Sequence, residues 1–171
     1  MKAGEATAER TSSVLRRLRE AMDAALRPHG FAPAGPTRFA DGRGLDQWFR
    51  DAGWKADGVD LVWRTPSPTS VDVAVYVRVP VGQGVELDGT TTSFLAGHGE
   101  YYDLPGGLFR GSREDKLVDT VAKDVVAALG WFEQYATPAK CLARLEEDDR
   151  NGPRKGSRPH QAAVEHLRSL A

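Results

Sequence analysis

The chain has 171 residues, 40% of them hydrophobic and 27% charged, a composition typical of one folded domain and not of a disordered chain. The formal net charge of −1 excludes a general electrostatic attraction to nucleic acid or to anionic membranes. The single cysteine, Cys141, excludes an internal disulfide framework and a zinc site built from several cysteines. Because the first residues lack the apolar segment of a secretory signal and no apolar run could span a bilayer, we expect a cytoplasmic protein.

A helical period marks the first predicted element. Apolar residues recur at steps of three and four between about residue 8 and residue 27, with charged residues opposite them. Pro28 and Gly30 then provide a stop signal. The sequence therefore predicts an amphipathic N-terminal helix.

Apolar residues next recur at every second position, a pattern that is typical of strands. Every odd position over residues 71–81 is valine, which predicts a half-buried strand with one all-valine face. Strands are also predicted near residues 44–51 and 59–65, and the segment from Phe31 to Phe39 is a possible edge strand because it carries two prolines. Asp-Gly pairs and short turns between these segments favour an antiparallel meander of four to five strands.

Helical patterns fill the last third of the chain. Ser112 is a suitable N-cap for a helix that Gly130 ends, and Thr137-Pro138 opens the next helix. A helix, then a run of strands, then more helices predicts an α+β fold. In that fold, two to three C-terminal helices lie on one face of the sheet.

Three parts of the chain are predicted: one α+β domain over residues 1–149, a basic linker over 150–158 and a C-terminal helix over 159–171. From Arg150 onward five lysines and arginines stand against a single acid, Glu165, so the tail could neutralise the phosphates of a nucleic acid. No aromatic residue is interleaved with these basic residues, which favours a solvated linker instead.

Side chains of a strand point alternately to the two faces of the sheet, and this alternation predicts a candidate binding face. If the helices cover the side that carries Val59, Leu61 and Trp63, charged and aromatic residues occupy the opposite side of the sheet. The candidate contacts are Trp48, Arg50, Arg64, Tyr76 and Arg78, with Asp46, Asp60 and Asp72 among them. Arginine beside aromatic residues is typical of a protein-binding surface, so we expect a protein partner or self-association there. A solvated face with cross-strand charge pairs is the alternative.

A second candidate site lies in the Gly-rich stretch 82–111, which has no strong period. Its residues are His98, Glu100, Tyr101, Tyr102 and Asp103. His98 could act as a base or ligand with Glu100 or Asp103 as its partner, in a small hydrolase-like or metal-dependent enzyme that uses the 94–107 loop. Adjacent positions on a Gly-rich loop are poor geometry for a metal, so we predict neither metal nor cofactor.

Cys141 has no histidine beside it in the sequence and falls on a predicted inward helical face. We therefore interpret it as a buried structural thiol and not as a nucleophile. The sequence also contains neither a phosphate-binding loop nor the Gly-x-Ser-x-Gly motif of acyl-transfer enzymes.

The segment 125–137, VVAALGWFEQYAT, together with the entry Gly30-Phe31 after the first helix, carries a family resemblance. Over roughly residues 10–149 the chain resembles the bacterial domain-of-unknown-function 4304 family. The resemblance implies a small cytoplasmic bacterial α+β domain and no known activity, cofactor or catalytic residue. We therefore expect a non-catalytic binding or protein-interaction module. An enzyme that uses the 94–107 loop and a nucleic-acid binder that uses the basic tail are the alternatives.

Overall fold

An antiparallel sheet and the helices that cover one of its faces form the fold of the computed structural model, which describes residues 2–38, 43–64, 70–81, 85–99, 101–104, 110–151 and 158–171. Within these residues the helices are α1 (Lys2–Leu26), α2 (Thr92–Leu95), α3 (Arg110–Ala128), α4 (Pro138–Asn151) and α5 (Arg158–Leu170). Short 3-10 segments, Arg27–His29 and Leu129–Tyr135, follow α1 and α3. Among the described residues, none of the helices has the length and apolar character that crossing a membrane requires.

Five strands form the meander in the order in which they occur along the chain, and a short sixth strand pairs with β4. The strands are β1 (Ala32–Arg38), β2 (Arg43–Asp51), β3 (Ala56–Arg64), β4 (Ser70–Val79), β5 (Val85–Thr91) and β6 (Tyr102–Asp103). All the pairings are antiparallel. The predicted α+β class, N-terminal helix, antiparallel meander and C-terminal helices are confirmed. β5 and β6 lie within the stretch 82–111, where the sequence has no strong period.

Cross-strand register decides which residues share a face of the sheet. Val75 of β4 is paired with Val59 of β3, so odd positions of these two strands lie on the same face. Between β2 and β3, however, even positions of one strand are paired with odd positions of the other, as Trp48 is with Val59. The reason is that the connection 52–55 has an even number of residues. The face of the valines therefore carries the even positions of β2. We call this the inner face, and the opposite one the outer face.

The hydrophobic core lies between the inner face and the helices. The valines of β4 are at most 1% exposed, and α1 contributes three fully buried side chains to the same cluster, Leu18, Met22 and Leu26. α5 also packs against this core in cis, since Ala163 and Leu167 are fully buried members of it. The predicted linker over residues 150–158 falls largely on residues 152–157, which lie outside the described residues.

Candidate functional site

Two of the five predicted face contacts lie on the inner face, so that part of the prediction is wrong. Trp48 is 1% exposed and belongs to the hydrophobic core, and Asp46 beside it is 3% exposed. The apolar residues Leu45 and Phe49 occupy the odd positions of β2 and indicated an inward direction for those positions. The register with β3 turns them outward instead.

Arg50 also lies on the inner side, where it joins a buried ion-pair cluster. Its Nη2 donates to Asp57 Oδ2 at 2.6 Å, and Lys55 Nζ donates to Asp57 Oδ1 at 2.6 Å. Asp57 and Lys55 are 1% and 5% exposed. The Arg50 guanidinium carbon also lies 4.9 Å from the ring centroid of Phe31, so the arginine closes one end of the core with part of its side chain still exposed.

Tyr76 and Arg78 do lie on the outer face, as predicted. The Tyr76 ring lies across Gly58 on the neighbouring strand, where a Cβ atom would overlap the ring. Glycine at this position therefore lets the tyrosine lie flat on the sheet, and the residue is only 3% exposed although it stands outside the core cluster. The side chain of Arg64, the fifth predicted contact, lies outside the described part of the structure.

A hydrogen-bonded polar group lies next to the Tyr76 ring. The Tyr76 hydroxyl donates to Asp60 Oδ1 at 2.9 Å, and Gln47 Nε2 donates to the same oxygen at 3.2 Å. Burial raises the pKa of Asp60 from 3.8 to about 6, and it outweighs the hydrogen bonds from Gln47 and Tyr76 and the positive charge of Arg78, which all lower it. Part of the Asp60 population is therefore uncharged just below neutral pH.

Aromatic and cationic groups border this polar group. The Phe49 ring meets the Tyr76 ring edge-on, with the centroids 6.3 Å apart. The Arg78 guanidinium carbon lies 5.4 Å from the Tyr76 ring centroid. Around the buried Tyr76 ring the outer face thus presents the Phe49 ring, one arginine and one carboxylate, which is a combination suited to binding another surface.

The loop candidates are only partly brought together. His98 Nε2 lies 3.4 Å from Asp124 Oδ2, and the Tyr102 hydroxyl donates to the same oxygen at 2.9 Å. Tyr102 is 4% exposed, whereas Tyr101 is 56% exposed. Asp103 is exposed on β6, away from this contact, and Glu100 lies outside the described residues. The partner of His98 is therefore Asp124 of α3, and not Asp103 from its own loop.

This arrangement orients an imidazole with a carboxylate, as a general base requires. A cavity of about 360 Å³ lies beside it, with Asp124, Leu95, Trp131 and Gln134 in its wall. In the described part of the chain, no group of three or more His, Cys, Asp or Glu side chains is arranged to hold a metal ion.

Cys141 is fully buried, as predicted, and its thiol donates to the Tyr135 carbonyl oxygen at 3.6 Å. Burial raises the pKa of Cys141 to about 11, which keeps the sulfur in its weakly nucleophilic thiol form. In the basic tail, Arg168 is paired with Glu146 at 3.0 Å. Residues 152–157 and the side chains of Arg150 and Arg158 lie outside the described residues, so the nucleic-acid alternative stays a prediction.

Sequence reasoning missed three residues that position side chains of the predicted sites: Asp57 holds Arg50, Asp124 holds His98 and Gly58 lies under Tyr76. Asp57-Gly58 indicates a tight turn by its composition, yet both residues lie inside β3. Asp124 looks like an ordinary polar position on an amphipathic helix. No local sequence pattern marks any of the three residues, because each contacts a side chain that belongs to another helix, strand or loop.

Comparisons with known proteins return nothing: no family model, no curated protein and no solved structure matches this chain. The resemblance to the domain-of-unknown-function 4304 family therefore stays a prediction.

Proposed function

We propose that this protein is a non-catalytic protein-interaction module whose docking surface is the outer face of the sheet. One observation carries the proposal: apolar side chains of the outer face take no part in the hydrophobic core. They are Leu45, Phe49, Val62 and Ala74, and in the described part of the chain none of them packs against the core cluster. All four are half-buried, and apolar residues grouped on a sheet face opposite the core are a feature of interaction sites.

The size of the face fits a stable interface. Five strands about 4.8 Å apart, each about nine residues of 3.3 Å in length, give a face of about 700 Å². A standard interface buries about 800 Å² on each partner. The outer face can therefore supply most of one side of such an interface.

The occupant that we propose is a second copy of this chain. The face carries both signs of charge, since Arg78 lies across the strand pair from Glu86 and close to Asp60. Two-fold packing can therefore place the arginine of one copy against a carboxylate of the other. Association through the β1 edge is disfavoured because Pro33 and Pro36 cannot donate backbone hydrogen bonds.

The decisive experiment compares two apolar-to-glutamate variants by sedimentation velocity. Phe49→Glu places a charge among the apolar residues of the outer face and should weaken self-association by about 2 kcal/mol or more. Val126→Glu is the matched control, because Val126 is 41% exposed on α3 and far from that face. Arg78→Glu should weaken association as well.

Three results would count against the proposal. They are a wild-type protein that stays monomeric at high concentration, a dimer that Phe49→Glu leaves intact, and a dimer that Val126→Glu disrupts instead. Circular dichroism of each variant separates loss of association from loss of folding, because Phe49 lies outside the core cluster.

The contact between His98 and Asp124 favours a second candidate function, an enzyme that uses the 94–107 loop for hydrolysis. Its test is hydrolysis of an activated ester and of an activated phosphate monoester by purified protein. Activity that His98→Ala removes, and that His29→Ala at an exposed histidine leaves unchanged, would support it. No activity in the wild type, or activity equal in all three proteins, would count against it.

A further inference from the structure

The cavity of about 360 Å³ that borders α3 has one charged residue in its wall, Asp124. Its volume falls within the range of small-molecule sites, which begins at about 300 Å³. No lysine or arginine is among the residues that line it, and the His98 imidazole beside Asp124 carries a positive charge only when it is protonated. A cation that entered this cavity would therefore be attracted by the carboxylate.

A chain of buried hydroxyl groups holds one oxygen of this carboxylate. The Tyr102 hydroxyl donates to Asp124 Oδ2 at 2.9 Å, and Thr92 Oγ1 lies 2.8 Å from the same hydroxyl. Thr92 and Tyr102 are 0% and 4% exposed. Burial raises the pKa of Tyr102 above its ordinary value, so the hydroxyl keeps its proton and stays a donor. The carboxylate is therefore ordered before a ligand arrives, which lowers the entropic cost of binding.

The other oxygen of Asp124, Oδ1, is open to a ligand. Tyr102 and His98 both contact Oδ2, and Oδ1 has no partner in the described part of the structure. The Asp124 side chain is 14% exposed, and Oδ1 does not belong to the unpaired polar atoms that are sealed from solvent. Ala127 and Ala128, three and four residues further along α3, lie on the same face of the helix and also line the cavity. The wall formed by this face therefore consists of the carboxylate and two small side chains.

Apolar and aromatic side chains form other parts of the wall. Leu95 is 45% exposed at the end of α2. Trp131 is half-buried, and its ring centroid lies 5.4 Å from that of Phe132 and 4.8 Å from that of Tyr135, so two neighbouring rings hold it. An indole ring attracts cations as well as apolar groups.

We propose that this cavity binds the cation of a small primary amine whose carbon skeleton is apolar. The ammonium group donates to Asp124 Oδ1, and the carbon skeleton lies against Trp131 and Leu95. The amide oxygen of Gln134, which also lines the cavity, is a further acceptor for the ammonium group. The proposal needs neither association through the outer face nor a hydrolytic role of His98, because it rests on other atoms.

The experiment follows the indole N–H signals of the isotope-labelled full chain in NMR spectra, with benzylammonium as the probe. Benzylammonium at millimolar concentration should shift the Trp131 signal saturably, while the signal of Trp48, which lies in the hydrophobic core and outside this cavity, should not move. Benzyl alcohol has the same ring and no charge, and it should bind at least about tenfold more weakly. Trp131→Phe identifies the signal.

Two variants on α3 test the role of the carboxylate. Asp124→Asn removes the charge, keeps an oxygen that accepts from Tyr102, and should weaken benzylammonium binding at least about tenfold. Asp119→Asn is the matched control, because Asp119 is exposed on the same helix and does not line the cavity. Equal melting temperatures of the two variants show that both are folded.

A third variant keeps the proposal testable if Asp124→Asn does not fold. Ala127→Leu places a larger side chain in the cavity wall at an exposed helical position and leaves the carboxylate unchanged. Leucine is also a good helix former, so this variant should fold and should lose most of the benzylammonium binding.

The proposal is overturned if benzylammonium leaves the Trp131 signal unchanged, or if benzyl alcohol binds as tightly as benzylammonium. It is also overturned if Asp119→Asn weakens binding as much as Asp124→Asn does, which would indicate a general attraction to the acidic surface of α3. Binding that Ala127→Leu leaves unchanged would place the amine outside this cavity and would overturn it as well.

Discussion

The two faces of the sheet hold their carboxylates in different ways. On the inner face Asp57 lies between Lys55 and Arg50, and Asp46 accepts from Arg19, so each carboxylate has a cationic partner. On the outer face the side chains that donate to Asp60 are neutral, Gln47 and Tyr76.

We interpret this difference as a structural role for the carboxylates of the inner face and a binding role for Asp60 on the outer face. The ion pairs of the inner face join α1 and the ends of the strands to the core, and breaking them leaves buried charges without partners. Asp60, by contrast, has a pKa of about 6, and in its protonated form below that pH it can be covered by another surface at lower cost. The predictions that follow test this contrast.

The largest effect is expected for Asp57→Ala on the inner face. Lys55 is 5% exposed and would lose its carboxylate partner, and Arg50 would lose the same partner at the end of the core. We expect a loss of about 3–5 kcal/mol in the free energy of unfolding, as for other broken buried pairs. Urea-induced unfolding measures this loss.

The control for this prediction is the double variant in which Lys55→Met accompanies Asp57→Leu. Replacing a buried pair by apolar residues of similar size is often neutral, so the double variant should recover the part of the lost stability that is due to Lys55, while Arg50 stays without its partner. A double variant as unstable as Asp57→Ala would show that the unpaired charge of Lys55 is not the cause.

The next effect compares two glycines that lie under aromatic rings. A Cβ atom at Gly44 would overlap the Trp63 indole on the inner face, and one at Gly58 would overlap the Tyr76 ring on the outer face. Trp63 belongs to the core cluster, whereas Tyr76 lies outside it, so we expect the tyrosine ring to shift with less loss of packing. We expect Gly44→Ala to cost about 3 kcal/mol and Gly58→Ala about 1 kcal/mol in chemical denaturation. Equal costs would mean that the outer face is as closely packed as the core.

The helices and strands with a regular apolar pattern were predictable from the sequence, because the residues that they bury are the apolar residues of that pattern. The valine strand and the stripes of α1 and α3 each mark one face without reference to any other element. The α+β class follows from the order of these elements.

The faces of β2 were not predictable in the same way. Its odd positions hold Leu45 and Phe49, which are apolar, yet the connection 52–55 and its register turn them outward. The apolar residues at the odd positions predicted that these positions face the core, but the register with β3 turns them outward. Trp48, at an even position, lies in the core instead. The partner of His98 was missed for a related reason, since Asp124 lies on α3 and only the tertiary structure brings the two together.

A smaller effect is expected for Asp60→Asn, and it depends on pH. The pKa of Asp60 is raised from 3.8 in its ordinary state to about 6 in the folded protein, so folding favours the protonated form. The charge of Asp60 therefore costs almost no stability below about pH 3; the cost grows as the pH rises from about 4 to 6 and is fully present above the folded pKa. Asparagine is never charged and avoids this cost while keeping an oxygen that accepts from Tyr76.

We therefore expect Asp60→Asn to stabilise the protein by about 2 kcal/mol at about pH 8, and to have almost no effect at about pH 3. Urea-induced unfolding at a series of pH values measures the difference. Asp51→Asn, at an exposed position on β2, is the control for exchanging an aspartate of the sheet for asparagine. If Asp60→Asn instead destabilises the protein most at high pH, the carboxylate is stabilised by Arg78 more than it is penalised by burial. The outer face would then hold its charge through an ion pair, as the inner face does.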